Sequence, residues 1–238
     1  GGLLPVVYFF RKNDSLLHFV KPVFDRRVFL KTCTNGSSEL MTNLSMSLVN
    51  ALYNLQLMKI AGENGVAAYG AVMYVNFIFV ATFLGYAIGC APVISYHYGA
   101  GNHAELKNLY KKSMSIILVW GVILFGAAQL LAPVLSKIFV GYNTGLYAMT
   151  LHGFRVYAIA FLIIGINIFG SSFFTALNNG LISAVISFLR TLMFQVIMVL
   201  TLPLWFGING IWSAISVAEA LTLIMTTTFF VRQKDKYH

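Results

Sequence analysis

Apolar runs of twenty to thirty residues alternate along this chain with short polar connections. Six such runs stand out, at about Phe29–Met58, Val66–Tyr96, Met114–Phe139, Tyr147–Leu177, Leu181–Leu204 and Ile211–Val231. Each meets the ~20 residues that a bilayer core requires of a spanning helix. The connections include Ala61-Gly62-Glu63-Asn64-Gly65, a basic loop from His97 to Lys112, Asn178-Asn179-Gly180 and Gly207-Ile208-Asn209-Gly210. Their shortness implies antiparallel neighbours in a bundle. Ahead of the runs, Leu3–Phe10 reads as the tail of an earlier apolar helix. Arg11–Lys31 sets Leu16, Leu17, Val20, Phe24 and Val28 at near-helical spacing among Lys and Arg. That is the pattern of an amphipathic connector on the membrane surface, broken at Pro22. The expected organisation is residues 1–28 as a preceding helix end plus linker, and 29–238 as an all-α bundle of six transmembrane helices. The chain is expected to be the C-terminal part of something longer.

Composition agrees with an integral membrane protein. The 238 residues are 58% hydrophobic and 10% charged, with mean hydropathy +0.79, where a soluble domain carries about 25% charged residues. The net charge of +9 is a topology signal. Arg11, Lys12, Lys21, Arg26, Arg27, Lys31, Lys107, Lys111, Lys112, Arg232, Lys234 and Lys236 all fall on one side of the expected spans. The other side has only Lys59 and Lys137. The basic side is therefore expected to be cytoplasmic, with both ends of the chain inside, and no nucleic-acid partner is implied. Cys33 and Cys90 lie in apolar runs and read as buried thiols. Gly85 and Gly89 form a GxxxG face before Pro92, expected to bring helices close. No nucleotide-binding glycine loop, HExxH or Cys/His cluster supports an enzyme or a bound cofactor.

The chemistry lies in polar residues at membrane depth. Asn35, Glu39, Asn43, Asn50 and Asn54 fall at i, +4, +8, +15 and +19, one stripe on one helix. Glu39 sits at about 15 Å from the inner end of its run, near the midplane. An intramembrane carboxylate is a functional-site hypothesis. Desolvated, it can exchange a proton; with amide and hydroxyl oxygens beside it, it can equally hold a small hard cation, or pack against Arg155 or Arg190. Arg190 and Glu219 lie at similar depth on consecutive antiparallel runs, so an ion pair between them is expected. Arg155 falls nearer the outer surface. Asn167, Ser171, Ser172 and Thr175 in the fourth run, and Ser213, Ser216, Glu219, Thr222 and Thr226 in the sixth, suggest a partly hydrated interior. Phe161, Phe169, Phe173, Phe174, Tyr53 and Tyr157 either line a site for flat or cationic molecules or face lipid.

The stretch Gly85–Asn102, ending Tyr98-Gly99-Ala100-Gly101-Asn102, resembles the helix-to-loop motif of multidrug and toxic compound extrusion (MATE) transporters. Gly62–Gly70, Ala176–Gly180, Ser187-Phe188-Leu189-Arg190 and Gly207–Trp212 continue the resemblance in order. It implies one lobe of a twelve-helix, two-lobe transporter in the cell membrane, exchanging external H⁺ or Na⁺ for organic, mostly cationic compounds such as drugs. A preceding N-terminal lobe is the implied partner. Glu39 matches the family's acidic residue on the first helix of this lobe, with Asn35 and Asn43 beside it, and would ligate the ion if it is Na⁺. Asn50, Asn54, Asn167 and Ser171 are then expected to line the substrate cavity, with Arg190, Glu219 and Arg155 as a charge network. The fourth run lacks the Asp that some members place there, which points toward protonation or a site in the other lobe. The alternatives are a flippase for a lipid-linked saccharide and a membrane scaffold without transport.

Overall fold

The structure, a computed structural model, describes residues 7–8 and 24–233, with the side chains of 28 and 30–42 outside the description. The described residues are helical, in the order α1 (Arg26–Gly99), α2 (His103–Val140), α3 (Thr144–Ala158), α4 (Phe161–Ala176), α5 (Gly180–Phe188), a π-helical turn (Leu189–Phe194), α6 (Gln195–Phe206) and α7 (Ile208–Arg232). The chain divides into two compact units, 1–40 and 41–238. In the first, Asp25 Oδ1 accepts from the Arg27 N–H at 2.7 Å and starts the helix. The expected connector at Arg11–Lys31 lies mostly outside the described residues. So do Pro22, the basic tail beyond Gln233, and the side chains of Cys33, Asn35 and Glu39.

In the second unit, α1 is interrupted at Gly62, whose φ of 64° and ψ of −154° are not helical. Only glycine adopts such a backbone without steric cost. On its two sides, Tyr53 and Tyr69 stack at 5.0 Å and 11°, and the Tyr69 hydroxyl donates to Asn50 Oδ1 at 3.1 Å across 19 residues. A straight helix would separate those residues by about 28 Å. The chain therefore folds back at Gly62, and the expected turn is a single glycine rather than five residues. Among the described residues four helices are long and apolar enough to cross a membrane, or five with α3 and α4 taken together. The 57 residues of Asn43–Gly99 count once in that tally, although the fold-back makes them two antiparallel arms.

Helix α4 is central. It packs against α2, α5 and α7, and α1 reaches it through Ser95 Oγ, which donates to the Ala176 carbonyl at 3.0 Å, and through Ser172 Oγ, which donates to the Ala87 carbonyl. Phe161, Phe169, Phe173 and Phe174 are buried, as are Tyr53 and Tyr157. These aromatics make the core, with Phe230 and Tyr110 joining the ring cluster; within this unit they neither line an open site nor face lipid. Gly85 and Gly89 are exposed, and a Cβ at either would meet nothing within 4 Å. No helix of the described residues uses that face for close approach. Gly165 does so instead, lying against Phe83 and Ile117.

Three further departures concern helix continuity. Residues 103–112, expected in a loop, open α2, because Asn102 caps it by accepting from the Glu105 N–H at 3.1 Å. The fourth run bends by 47° between α3 and α4, where Ala160 and Leu162 donate to the carbonyls three residues back, a local tightening of the helix. The fifth run contains the π-helical turn. At the start of α3, Asn143 Oδ1 accepts from the Leu146 N–H at 3.1 Å. Asn143→Ala removes that cap and is expected to cost about 1 kcal/mol, read as a lowered thermal unfolding midpoint in detergent.

Candidate functional site

Glu219 lies on the twelfth residue of α7, about 16 Å along the helix from Ile208, and is wholly buried. Its Oε1 accepts from Arg190 Nε at 2.8 Å, so the ion pair expected from antiparallel depth forms. Its Oε2 accepts from Asn167 Nδ2 at 2.7 Å, and the same amide also donates to the Glu219 carbonyl at 2.9 Å. Three helical segments thus converge on one carboxylate: α4 through Asn167, the π-helical turn through Arg190, and α7. Neutralising the charge within the triad permits a carboxylate to persist at membrane depth, where an unpaired one is costly. Tyr53 and Tyr157 lie within electrostatic reach of Glu219, and Tyr157 also of Arg190. The Tyr53 hydroxyl and Asn167 Oδ1 are buried and have no hydrogen-bond partner.

Beside the triad, hydroxyls of α4 and α5 bond to one another. Ser171 Oγ pairs with Ser183 Oγ at 2.9 Å and Ser187 Oγ at 2.8 Å, and Thr175 Oγ1 donates to Ser183 Oγ at 2.7 Å. Ser171 and Asn167, expected to line a cavity, are thus engaged between helices, and Asn167 is fully buried. Thr222 and Ser213 spend their hydroxyls on carbonyls of their own helix. The α4 stripe therefore bonds between packed helices, whereas the hydroxyl bonds of α7 stay within that helix. Arg155 is exposed and makes no ion pair among the described residues; its backbone carbonyl accepts from Gln129 Nε2 at 3.0 Å.

The asparagine stripe of α1 behaves differently. Ser45, Val49, Tyr53 and Leu57 recur every four residues and are buried, whereas Asn43, Asn50 and Asn54 are exposed on the flank of that row. Asn50 is bonded to Tyr69, and the Asn43 carbonyl accepts from Ser47 Oγ. Among the described residues no three His, Cys, Asp or Glu side chains come together as metal ligands. The Tyr53–Tyr69 stack and the Asn167–Glu219 bond were not anticipated. For the second, the available signal was an amide near the middle of the fourth run and a carboxylate near the middle of the sixth.

The MatE family model matches residues 40–201 of the chain. No curated protein sequence matches it. Among solved structures, the chain is similar to the inward-facing conformation of a multidrug resistance MATE family transporter of the MOP superfamily, at 20% identity over 98% of this chain with a TM-score of 0.85. The outward-facing conformation of such a transporter gives 20% identity over 98% with a TM-score of 0.84. A MOP superfamily transporter from Pyrococcus furiosus, whose binding pocket is described as reversed in polarity, gives 20% over 97% and 0.83. The chain spans about half the length of each, covering 55%, 53% and 52% of them. An all-helical fold rich in membrane-crossing segments, matched by the family model over most of its length, leaves one assignment: the chain is a multi-pass membrane protein that belongs to the MatE family.

Proposed function

We propose that this chain is the C-terminal lobe of a secondary transporter, not an enzyme, that exports organic compounds such as drugs in exchange for H⁺ or Na⁺. The lobe sits in the plasma membrane with both its ends cytoplasmic. The observation that carries this reading is the polar stripe of α1, where Asn43, Asn50 and Asn54 are exposed beside the packed face. Amides at membrane depth do not suit lipid contact, and a cavity shared with a second lobe accounts for them. By spacing, Glu39 continues that stripe and is the residue assigned to ion coupling, with Asn35 and Asn43 beside it.

Transport then proceeds by rocking this lobe against the other. The near-equal likeness of the chain to an outward-facing and an inward-facing relative supports a lobe that moves largely as one body. Ion binding drives the exchange only if the two states hold the ion with different affinity. Efflux of a fluorescent organic cation by the intact protein, driven by a H⁺ or Na⁺ gradient, tests the assignment. Glu39→Gln is expected to abolish the gradient-driven component while the protein still reaches the membrane. Undiminished efflux with unchanged ion dependence removes Glu39 from the mechanism.

A further inference from the structure

The Arg190 guanidinium is held at one point only. Its Nε is committed to Glu219, and no other hydrogen bond of its side chain joins it to a described residue. A guanidinium has five N–H donors in a rigid fork, so four remain on the terminal nitrogens. Glu219 takes none of them: one carboxylate oxygen accepts from Nε and the other from Asn167. The side chain is 18% exposed while its partner is fully buried, so the free end of the fork is the end that reaches open space. It does so about 15 Å along the helix from Gly180, far from either end of the 27-residue span Gly180–Phe206.

A structural ion pair needs no fork; one ammonium would neutralise Glu219. The fork matches oxyanions, which it binds through two parallel hydrogen bonds. The turn that carries it is π-helical, an irregularity frequent at functional sites. The buried, unpartnered Tyr53 hydroxyl, within electrostatic reach of the same carboxylate, is a second unused polar group in the neighbourhood. Because Arg190 and Glu219 cancel, the triad attracts no cation, but its exposed end is positive. From these features the geometry points to an anion subsite: the free N–H groups of Arg190 receive a carboxylate or phosphate oxygen of the bound ligand. Within the transport reading above, on which this inference rests, the exported compound carries an anionic group as well as, or in place of, a cationic one.

Binding without any gradient separates this from the transport assignment. The full-length protein containing this chain, purified in detergent, is titrated with benzoate and with benzylammonium, which share a ring and differ in charge. Benzoate is expected to bind. The variant Arg190→Gln/Glu219→Gln keeps the site neutral and hydrogen-bonded, and is expected to bind benzoate about tenfold to a hundredfold more weakly, the worth of a charge-assisted hydrogen bond. Glu219→Gln alone frees the whole guanidinium and is expected to bind benzoate at least as well as wild type. Equal benzoate affinity in wild type and the double variant overturns the proposal, as does wild-type binding of benzylammonium without benzoate. Repeating the titration in bilayer discs with and without phosphatidylglycerol identifies the source. Loss of benzoate binding with that lipid assigns the subsite to a headgroup phosphate, and unchanged binding assigns it to a soluble compound; both results uphold an anion at Arg190. Loss of efflux in Glu39→Gln, or its absence, leaves this readout untouched.

Discussion

Arg190→Leu is expected to destabilise the protein by about 3–5 kcal/mol, the cost of stranding a buried charge. Glu219 is wholly buried, and leucine offers no charge or hydrogen bond in place of the lost guanidinium. Asn167 would remain, a neutral donor already shared between the carboxylate and the Glu219 carbonyl. Thermal unfolding in detergent, followed by tryptophan fluorescence, should show a large drop in the midpoint. The companion Arg190→Leu/Glu219→Leu should recover most of it, since apolar replacement of a buried pair is often neutral or stabilising. Equal loss in the single and double variants would show that the volume of the two side chains, rather than their charges, sets the stability there.

The second large effect is steric. Gly153 in α3 lies flat against the Trp212 indole of α7, where a Cβ would stand 2.5 to 2.8 Å from three ring carbons. Trp212 is 1% exposed and is among the largest buried side chains, so it has no room to withdraw. Gly153→Val is expected to cost about 3 kcal/mol, at the upper end of the usual penalty for overpacking. Its measurement is again the unfolding midpoint, together with a change in tryptophan emission as the Trp212 indole is displaced from its buried position. Trp212→Ala in the Gly153→Val background should relieve part of the strain.

Much of this architecture is legible in the sequence because membrane spans are long and carry their own signal. The runs around α2, α5–α6 and α7 are continuous apolar stretches ended by Asn or Gly, and those residues do cap or turn the helices at Asn102, Asn143 and Gly207. Arg190 and Glu219 could be paired from depth alone, since antiparallel neighbours joined by a short turn have correlated heights. What escaped the sequence has no residue that announces it. The bend between α3 and α4 contains neither Gly nor Pro, only three-residue hydrogen bonds at Ile159 and Ala160. The π-helical turn is an apolar run like its surroundings. Gly85 and Gly89 spell a packing motif, but no neighbour among the described residues arrives on that face. Asn167 and Ser171 looked like cavity lining because an amide or hydroxyl pattern marks a face without naming what covers it. In the structure another helix covers it.

The sequence distances of these contacts imply an order of assembly. The fold-back at Gly62 is closed by contacts between residues 19 or fewer apart, so its loop-closure cost is small and both arms can meet as soon as they leave the ribosome. Asn167 and Arg190 wait for a partner 52 and 29 residues further along. While the chain is synthesised from its N-terminus, Arg190 enters the bilayer before its counter-ion exists. The hairpin of α1 is thus the early nucleus, and the arrival of α7, with Glu219 aboard, is the step that locks the lobe.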